Sequence, residues 1–295
     1  MASEELTVVR EMLSAVDLDR LTVTERRAAA ESVASQPPRG TSVDPVDAGG
    51  VPAEWVVAPG ADSGRVLIYL HGGAYQIGSP GTHRHMVALL SDAARARVLS
   101  VDYRLAPEHP FPAAVDDAVA AYRWLLATGT DRGVLALAGD SAGGGLALAS
   151  LVALRDAGEP MPAAAVVMSP WTDLALTGES LRTRADVDVL IKPGGMAETA
   201  EAYLAGQDPR HPYASPLYAD LHGLPPLLIH VGDAEVILDD STRLAARARA
   251  HGVDVTLEVW DEMPHVWHVF AGMLPEADQA IERIGSWLTE RIPVS

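Results

Sequence analysis

Two nearly continuous apolar runs, Val66-Leu67-Ile68-Tyr69-Leu70 and Arg97-Val98-Leu99-Ser100-Val101, constrain this chain more than any other feature. A strand with one solvated face alternates apolar and polar residues, whereas a strand covered on both faces has no need to. Similar runs recur at Val134–Ala138, Ala163–Met168, Leu227–Val231 and Val255–Trp260, with a shorter one at Trp55–Ala58. Helical patterns stand between them, over His83–Ala96, Phe111–Leu126, Leu146–Leu154, Asp239–Ala250 and Glu276–Arg291. That alternation predicts an α/β fold, a mostly parallel sheet with helices on both faces. No linker or internal repeat divides the 295 residues, and 48% are hydrophobic, so one domain with a sizeable core is expected.

Two stretches stand outside the rhythm. Leu6, Val9, Leu13 and Val16 fall at helical spacing, with Met12 beside them. Thr22 and Glu25 then form a capping-box pattern that opens a second helix through Ala34, ended by Pro37-Pro38-Arg39-Gly40. A helical hairpin packed on the body is the expectation. Leu176–Pro216 carries no strand signal and one helix near Ala197–Leu204. It is too long for an ordinary connection, and Leu190, Met196, Tyr203 and Tyr213 give it apolar surface to pack, which favours a lid over a disordered insert.

Composition removes whole classes of function. The net charge of −18, from 22 basic and 40 acidic residues, disfavours nucleic acid and anionic membranes as partners. With no cysteine, disulfides, thiolate metal sites and cysteine catalysis are excluded. The acidic start Met1-Ala2-Ser3-Glu4-Glu5 lacks a charged-then-apolar leader, and no stretch reaches the length of a membrane span. The expectation is a soluble, cytoplasmic protein.

The chemistry centres on Gly139-Asp140-Ser141-Ala142-Gly143, directly behind an apolar strand and ahead of a helix of small residues. A serine on so sharp a turn has its hydroxyl pushed out above the sheet, and the flanking glycines remove Cβ atoms that would collide. A phosphate-binding loop is the rival reading, but the lysine such a loop requires is missing. His71-Gly72-Gly73-Ala74-Tyr75 follows the strand Val66–Leu70, where glycine amides can turn toward a common point and join the Ala142 amide in an oxyanion hole. A plain glycine turn would read the same. His265, late in the chain and just past the last strand, stands where a general base belongs if the order is serine, acid, histidine. His268 is its rival, and a His-x-x-His metal pair lacks an evident third ligand. For the acid, Asp233, Glu235, Asp239 and Asp240 all follow the strand Leu227–Val231, and position alone does not choose.

Taken together, His71-Gly72-Gly73, the stretch Asp102–Ala113 (DYRLAPEHPFPA), Gly139–Gly144 (GDSAGG) and the late His265 resemble the hormone-sensitive-lipase-like, bacterial family IV branch of the α/β-hydrolases, from about Trp55 onward. The resemblance implies an α/β-hydrolase fold: an eight-stranded, mostly parallel sheet flanked by helices. It also implies a helical cap, formed by about residues 1–40 and 176–216. It implies Ser141 as nucleophile, His265 as base, and Gly72, Gly73 and Ala142 as oxyanion amides. Many relatives carry an aspartate followed by Pro-Leu as the acid. Here that place reads Glu235-Val236-Ile237, similar to a subgroup that uses glutamate. Arg104, Glu108 and His109 are implied to be architecture. Tyr75, Asp140, Met196, Tyr203 and Val266 are the candidate pocket residues. The implied activity is that of a serine carboxylesterase acting on short- to medium-chain esters without metal or organic cofactor. The same machinery would serve a lactone hydrolase or a natural-product deacetylase. A non-catalytic small-molecule receptor of this fold predicts a replaced serine or histidine, and both are present. The last strand, as a sheet edge, is the expected seat of a homodimer.

Overall fold

A computed structural model describes residues 3–15 and 21–292; Met1, Ala2 and Val16, which figure in the reading above, lie outside them. The chain runs α1 (Glu4–Ser14), α2 (Val23–Ser32), β1 (Ser42–Asp47), β2 (Pro52–Val57), β3 (Asp62–Leu70), α3 (Pro80–Ala94), β4 (Ala96–Val101) and α4 (Ala113–Ala127). It continues through β5 (Leu135–Asp140), α5 (Ser141–Asp156), β6 (Ala164–Met168), α6 (Ser180–Thr183) and α7 (Pro193–Leu204). The last elements are β7 (Leu227–Gly232), α8 (Leu238–Ala250), β8 (Val255–Trp260) and α9 (Pro275–Arg291).

The strands form one sheet in the order β1-β2-β4-β3-β5-β6-β7-β8. β2 runs antiparallel to both β1 and β4; from β4 to β8 every pairing is parallel. Alternation within β3 divides the core. Val66, Ile68 and Leu70 join the cluster under α4, α5 and α8, while Leu67 and Tyr69 join the one under α3 and α9. Both faces are therefore dry, which is why the central strands read as unbroken apolar runs. One strand has no such signature: β1, Ser-Val-Asp-Pro-Val-Asp, buries none of its residues at the sheet edge and carries Pro45, which an edge strand tolerates.

The first two helices, expected as a hairpin packed on the body, are each fastened to that body by their own contacts. Leu6 and Val9 of α1 are buried in the α3/α9 core. The α2 capping box forms as its sequence predicts, Thr22 Oγ1 accepting from the Glu25 amide and Glu25 Oε2 from that of Thr22. Arg27 then pins α2 down. It donates to Gln76 O, Ala106 O and both oxygens of Glu108. Arg104 makes a second brace, reaching both carboxylate oxygens of Asp117. Residues 176–216 carry α6 and α7 and contain no strand.

Candidate active site

Ser141 stands at the junction of β5 and α5 with φ of 52°, a left-handed backbone that a non-glycine residue rarely adopts. The neighbours that permit this turn are small of necessity. A Cβ on Gly143 would sit 2.0 Å from Leu70 O, and one on Gly139 would sit 2.4 Å from Gly143 O. The helix begins at Ser141 itself, so the Ala142 amide is one of the first-turn donors that no helical carbonyl can reach.

Three expected residues meet here. His265 Nε2 lies 2.8 Å from Ser141 Oγ, and His265 Nδ1 lies 2.7 Å from Glu235 Oε2. A carboxylate only accepts, so Nδ1 carries the hydrogen and Nε2 is left to accept the serine proton. Burial lowers the pKa of His265, but the Glu235 charge and hydrogen bond, with Asp188 and Asp140 adding, outweigh it and hold the value above the ordinary one. Of the other carboxylates weighed for the acid, Asp233 is spent on the Glu262 amide. Asp239 accepts from the Ser180 amide. Asp240 is buried and takes the Thr172 and Asp173 amides; burial pushes its pKa up to about 8. His268 does not face the serine, bonding instead to His230 Nδ1 at 3.2 Å, so the two histidines of the His-x-x-His pair have different partners.

A residue that the sequence reading missed holds this trio together. Ser169, just past β6, donates to Glu235 Oε1 at 2.7 Å and accepts the Val266 amide at 3.2 Å. The Gly232 amide gives Oε1 its second donor at 2.6 Å. The available signal was position alone: a polar residue at the carboxyl end of a parallel strand, where α/β sheets keep their sites.

The oxyanion expectation needs one correction. The Gly72 amide donates to Asp140 Oδ1 at 2.9 Å, so it is not free for a substrate oxygen. Gly72 is glycine for another reason, since a Cβ there would stand 2.1 Å from Asp140 Oδ2. Gly73 and Ala74 line the cavity beside Ser141, and among the described residues neither amide has a protein acceptor. Asp140 braces this loop from below. It accepts from Tyr69 Oη at 2.5 Å and lies 3.5 Å from His83 Nε2. Burial raises its pKa, but His83, Tyr69 and His71 outweigh that and bring it down to about 2. His71 is structural, stacked on Tyr103 at 4.3 Å, with burial pushing its pKa down to about 3.

A cavity of about 630 Å³ opens over Ser141 and His265. Leu13, Val23 and Ala30 line it from α1 and α2, and Leu190, Ile191 and Met196 from the 176–216 segment. Asp140 and Val266 also line it. Tyr75 and Tyr203 do not. They stack on each other at 3.7 Å, fully buried, and clamp α7 onto the loop that carries Gly73 and Ala74.

The description of this fold by family agrees. Residues 67–269 match the model of a family described as having the alpha/beta hydrolase fold. This chain belongs to the α/β-hydrolases. The hydrolase is 52% identical to an acetyl-hydrolase of Streptomyces hygroscopicus, over 98% of this chain and 97% of that protein. It is 38% identical to a putative acetyl-hydrolase, LipR, of Mycobacterium tuberculosis, over 91% of this chain and 88% of that one. Its fold superposes on EstE5 with a TM-score of 0.97 at 50% identity, covering 99% of this chain and 100% of the other. An esterase from the bacterial hormone-sensitive lipase family matches at 52% identity and TM-score 0.96, with 99% of each chain covered. Among the described residues, no helix of the hydrolase is long and apolar enough to cross a membrane.

Proposed function

We propose that this hydrolase is a serine carboxylesterase working through an acyl-enzyme on Ser141. The observation that carries the reading is the unbroken chain Ser141 Oγ, His265, Glu235 at the wall of an apolar cavity. Ser141 attacks an ester carbonyl as His265 Nε2 takes its proton. Glu235 keeps the other ring nitrogen protonated and steadies the imidazolium that forms. The amides of Gly73, Ala74 and Ala142 receive the oxyanion, worth about 3 kcal/mol per donor in such sites. His265 then returns the proton to the leaving alkoxide. A water repeats the sequence on the acyl-enzyme and releases the acid.

The α1–α2 pair and residues 176–216 serve as the cap, since both contribute apolar walls to the cavity. A pocket of this size, walled by side chains instead of a broad open face, suits short- to medium-chain acyl groups. The kinship with an acetyl-hydrolase favours acetyl esters within that range, the alcohol portion occupying the larger space. The test is pre-steady-state release of p-nitrophenol from p-nitrophenyl acetate. One equivalent per active chain in the burst, absent from a folded Ser141→Ala protein, is the expected result. Equal turnover by the two proteins overturns the reading.

A further inference from the structure

Asp188 belongs to the 176–216 segment, a surface excursion in a chain with 40 acidic residues, yet it is only 2% exposed. No cation lies within ion-pair distance of its carboxylate among the described residues. Three backbone amides hold it instead. Oδ1 accepts from Leu190 at 2.9 Å and Ile191 at 2.8 Å, and Oδ2 accepts from Val236 at 2.9 Å. A buried carboxylate is costly unless its lone pairs are filled, and here both oxygens are engaged.

The two sides of this carboxylate lead to different parts of the site. Val236 directly follows Glu235, so Oδ2 fixes the peptide next to the catalytic acid. The same segment grips the other end of Val236, whose carbonyl accepts from Ser180 Oγ at 2.6 Å. On the other side, Leu190 and Ile191 line the cavity. Arg10 of α1 tightens this corner by donating to Val187 O and Glu262 O. One carboxylate thus ties the pocket wall to the backbone of the acid.

We propose that Asp188 is a positioning residue for Glu235, and that through it the cap segment sets the orientation of the catalytic acid as well as the shape of the acyl pocket. This inference rests on the esterase reading above. Its consequence is that catalysis on even the smallest ester, which never presses on the pocket wall, depends on a residue of the cap.

Asp188→Asn is the informative change, because an amide has one acceptor oxygen where three N–H groups arrive at two. Either flip leaves an NH₂ facing a backbone N–H and breaks one side of the tie. With the oxygen kept toward Leu190 and Ile191, the Val236 peptide is released. Displacement of a catalytic group by a fraction of an ångström costs about 10- to 100-fold. The expected result on p-nitrophenyl acetate is a kcat loss of that order with KM within about threefold, in a protein whose Tm stays within a few degrees of wild type. Asp186→Asn, at an exposed neighbouring carboxylate, keeps wild-type kcat. A folded Asp188→Asn protein with kcat within about twofold of wild type overturns the proposal. So does an equal loss in Asp186→Asn, which would mark a general charge effect. If Asp188→Asn does not fold, Asp188→Glu is read in its place. It keeps the charge but moves it by one methylene, and reduced kcat at unchanged KM is expected. Failure of both to fold assigns Asp188 to the fold alone and refutes the positioning role. A wild-type protein no better than Ser141→Ala would defeat the esterase reading itself, a result distinguishable from all of these.

Discussion

Exchange of Glu235 for glutamine tests the assignment of the acid with almost no change in shape. Glu235 Oε1 faces two donors, the Gly232 amide and Ser169 Oγ, while Oε2 faces, among the described residues, only His265 Nδ1. A glutamine therefore keeps its oxygen toward the two donors and turns its NH₂ toward the histidine. That NH₂ donates to Nδ1 and drives the ring proton to Nε2, the nitrogen that must accept from Ser141. The equivalent swap in a serine protease triad lowers kcat by about 10⁴ through the wrong tautomer, close to 5.5 kcal/mol at about 1.36 kcal/mol per tenfold. A loss of about 10³ to 10⁴ in kcat is expected here, with a smaller change in KM. The pH profile gives a second readout. Glu235 is the main influence raising the pKa of His265, and the base must be neutral to act. Wild-type kcat/KM therefore rises with pH through a value above the ordinary histidine figure of about 6.5. In Glu235→Gln the residual activity has its acid limb at lower pH. The assay is p-nitrophenyl acetate hydrolysis across pH beside thermal melts, with Asp233→Asn as control. A folded Glu235→Gln enzyme within about tenfold of wild type, or an Asp233→Asn enzyme that is silent, refutes the reasoning.

Ser169→Ala removes a charge-assisted bond to Glu235 and leaves the buried Val266 amide unpaired, a cost of about 2–4 kcal/mol, read as a fall in Tm of roughly 5–10 °C with at least a tenfold loss of kcat. An unchanged Tm and kcat would show that the serine only fills space. The low pKa of Asp140, about 2, means it contributes stability present in full above the ordinary aspartate value and lost as pH falls through about 2. The stability of Asp140→Asn measured by denaturant titration should accordingly fall less steeply between about pH 4 and 2, by about 2 kcal/mol in total, and parallel curves would contradict this. Across p-nitrophenyl esters kcat/KM should be highest for short and medium acyl chains, with little action on long-chain triglyceride emulsions; strong activation by an emulsion would count against the walled pocket.

The parts of this molecule that are legible in sequence are those fixed by burial on both sides or by a backbone that only certain residues tolerate. Unbroken apolar runs located the parallel strands because no solvated face interrupts them. The glycines around Ser141 marked the turn because any Cβ at Gly143 would strike Leu70 O. What escaped was decided by three-dimensional partners. β1 is polar and carries Pro45, since an edge strand owes little to the core. Tyr75 and Tyr203 look like pocket aromatics until they are seen stacked on each other. Gly72 and Gly73 are alike in sequence, and only the Asp140 carboxylate separates the amide that is spent from the amide that is open. Ser169 and Asp188 carry no local pattern, because their donors and acceptors come from Glu235, Val236 and Val266, far away in the chain.

Covalent capture of the acyl-enzyme tests the central claim most directly. The protein is mixed with p-nitrophenyl acetate, quenched in acid within the burst, digested and mapped by mass spectrometry. One acetyl group per chain, confined to the peptide bearing Ser141 and missing from Ser141→Ala, is the predicted result. Acetylation at another residue, or steady turnover by a folded Ser141→Ala protein, would contradict it.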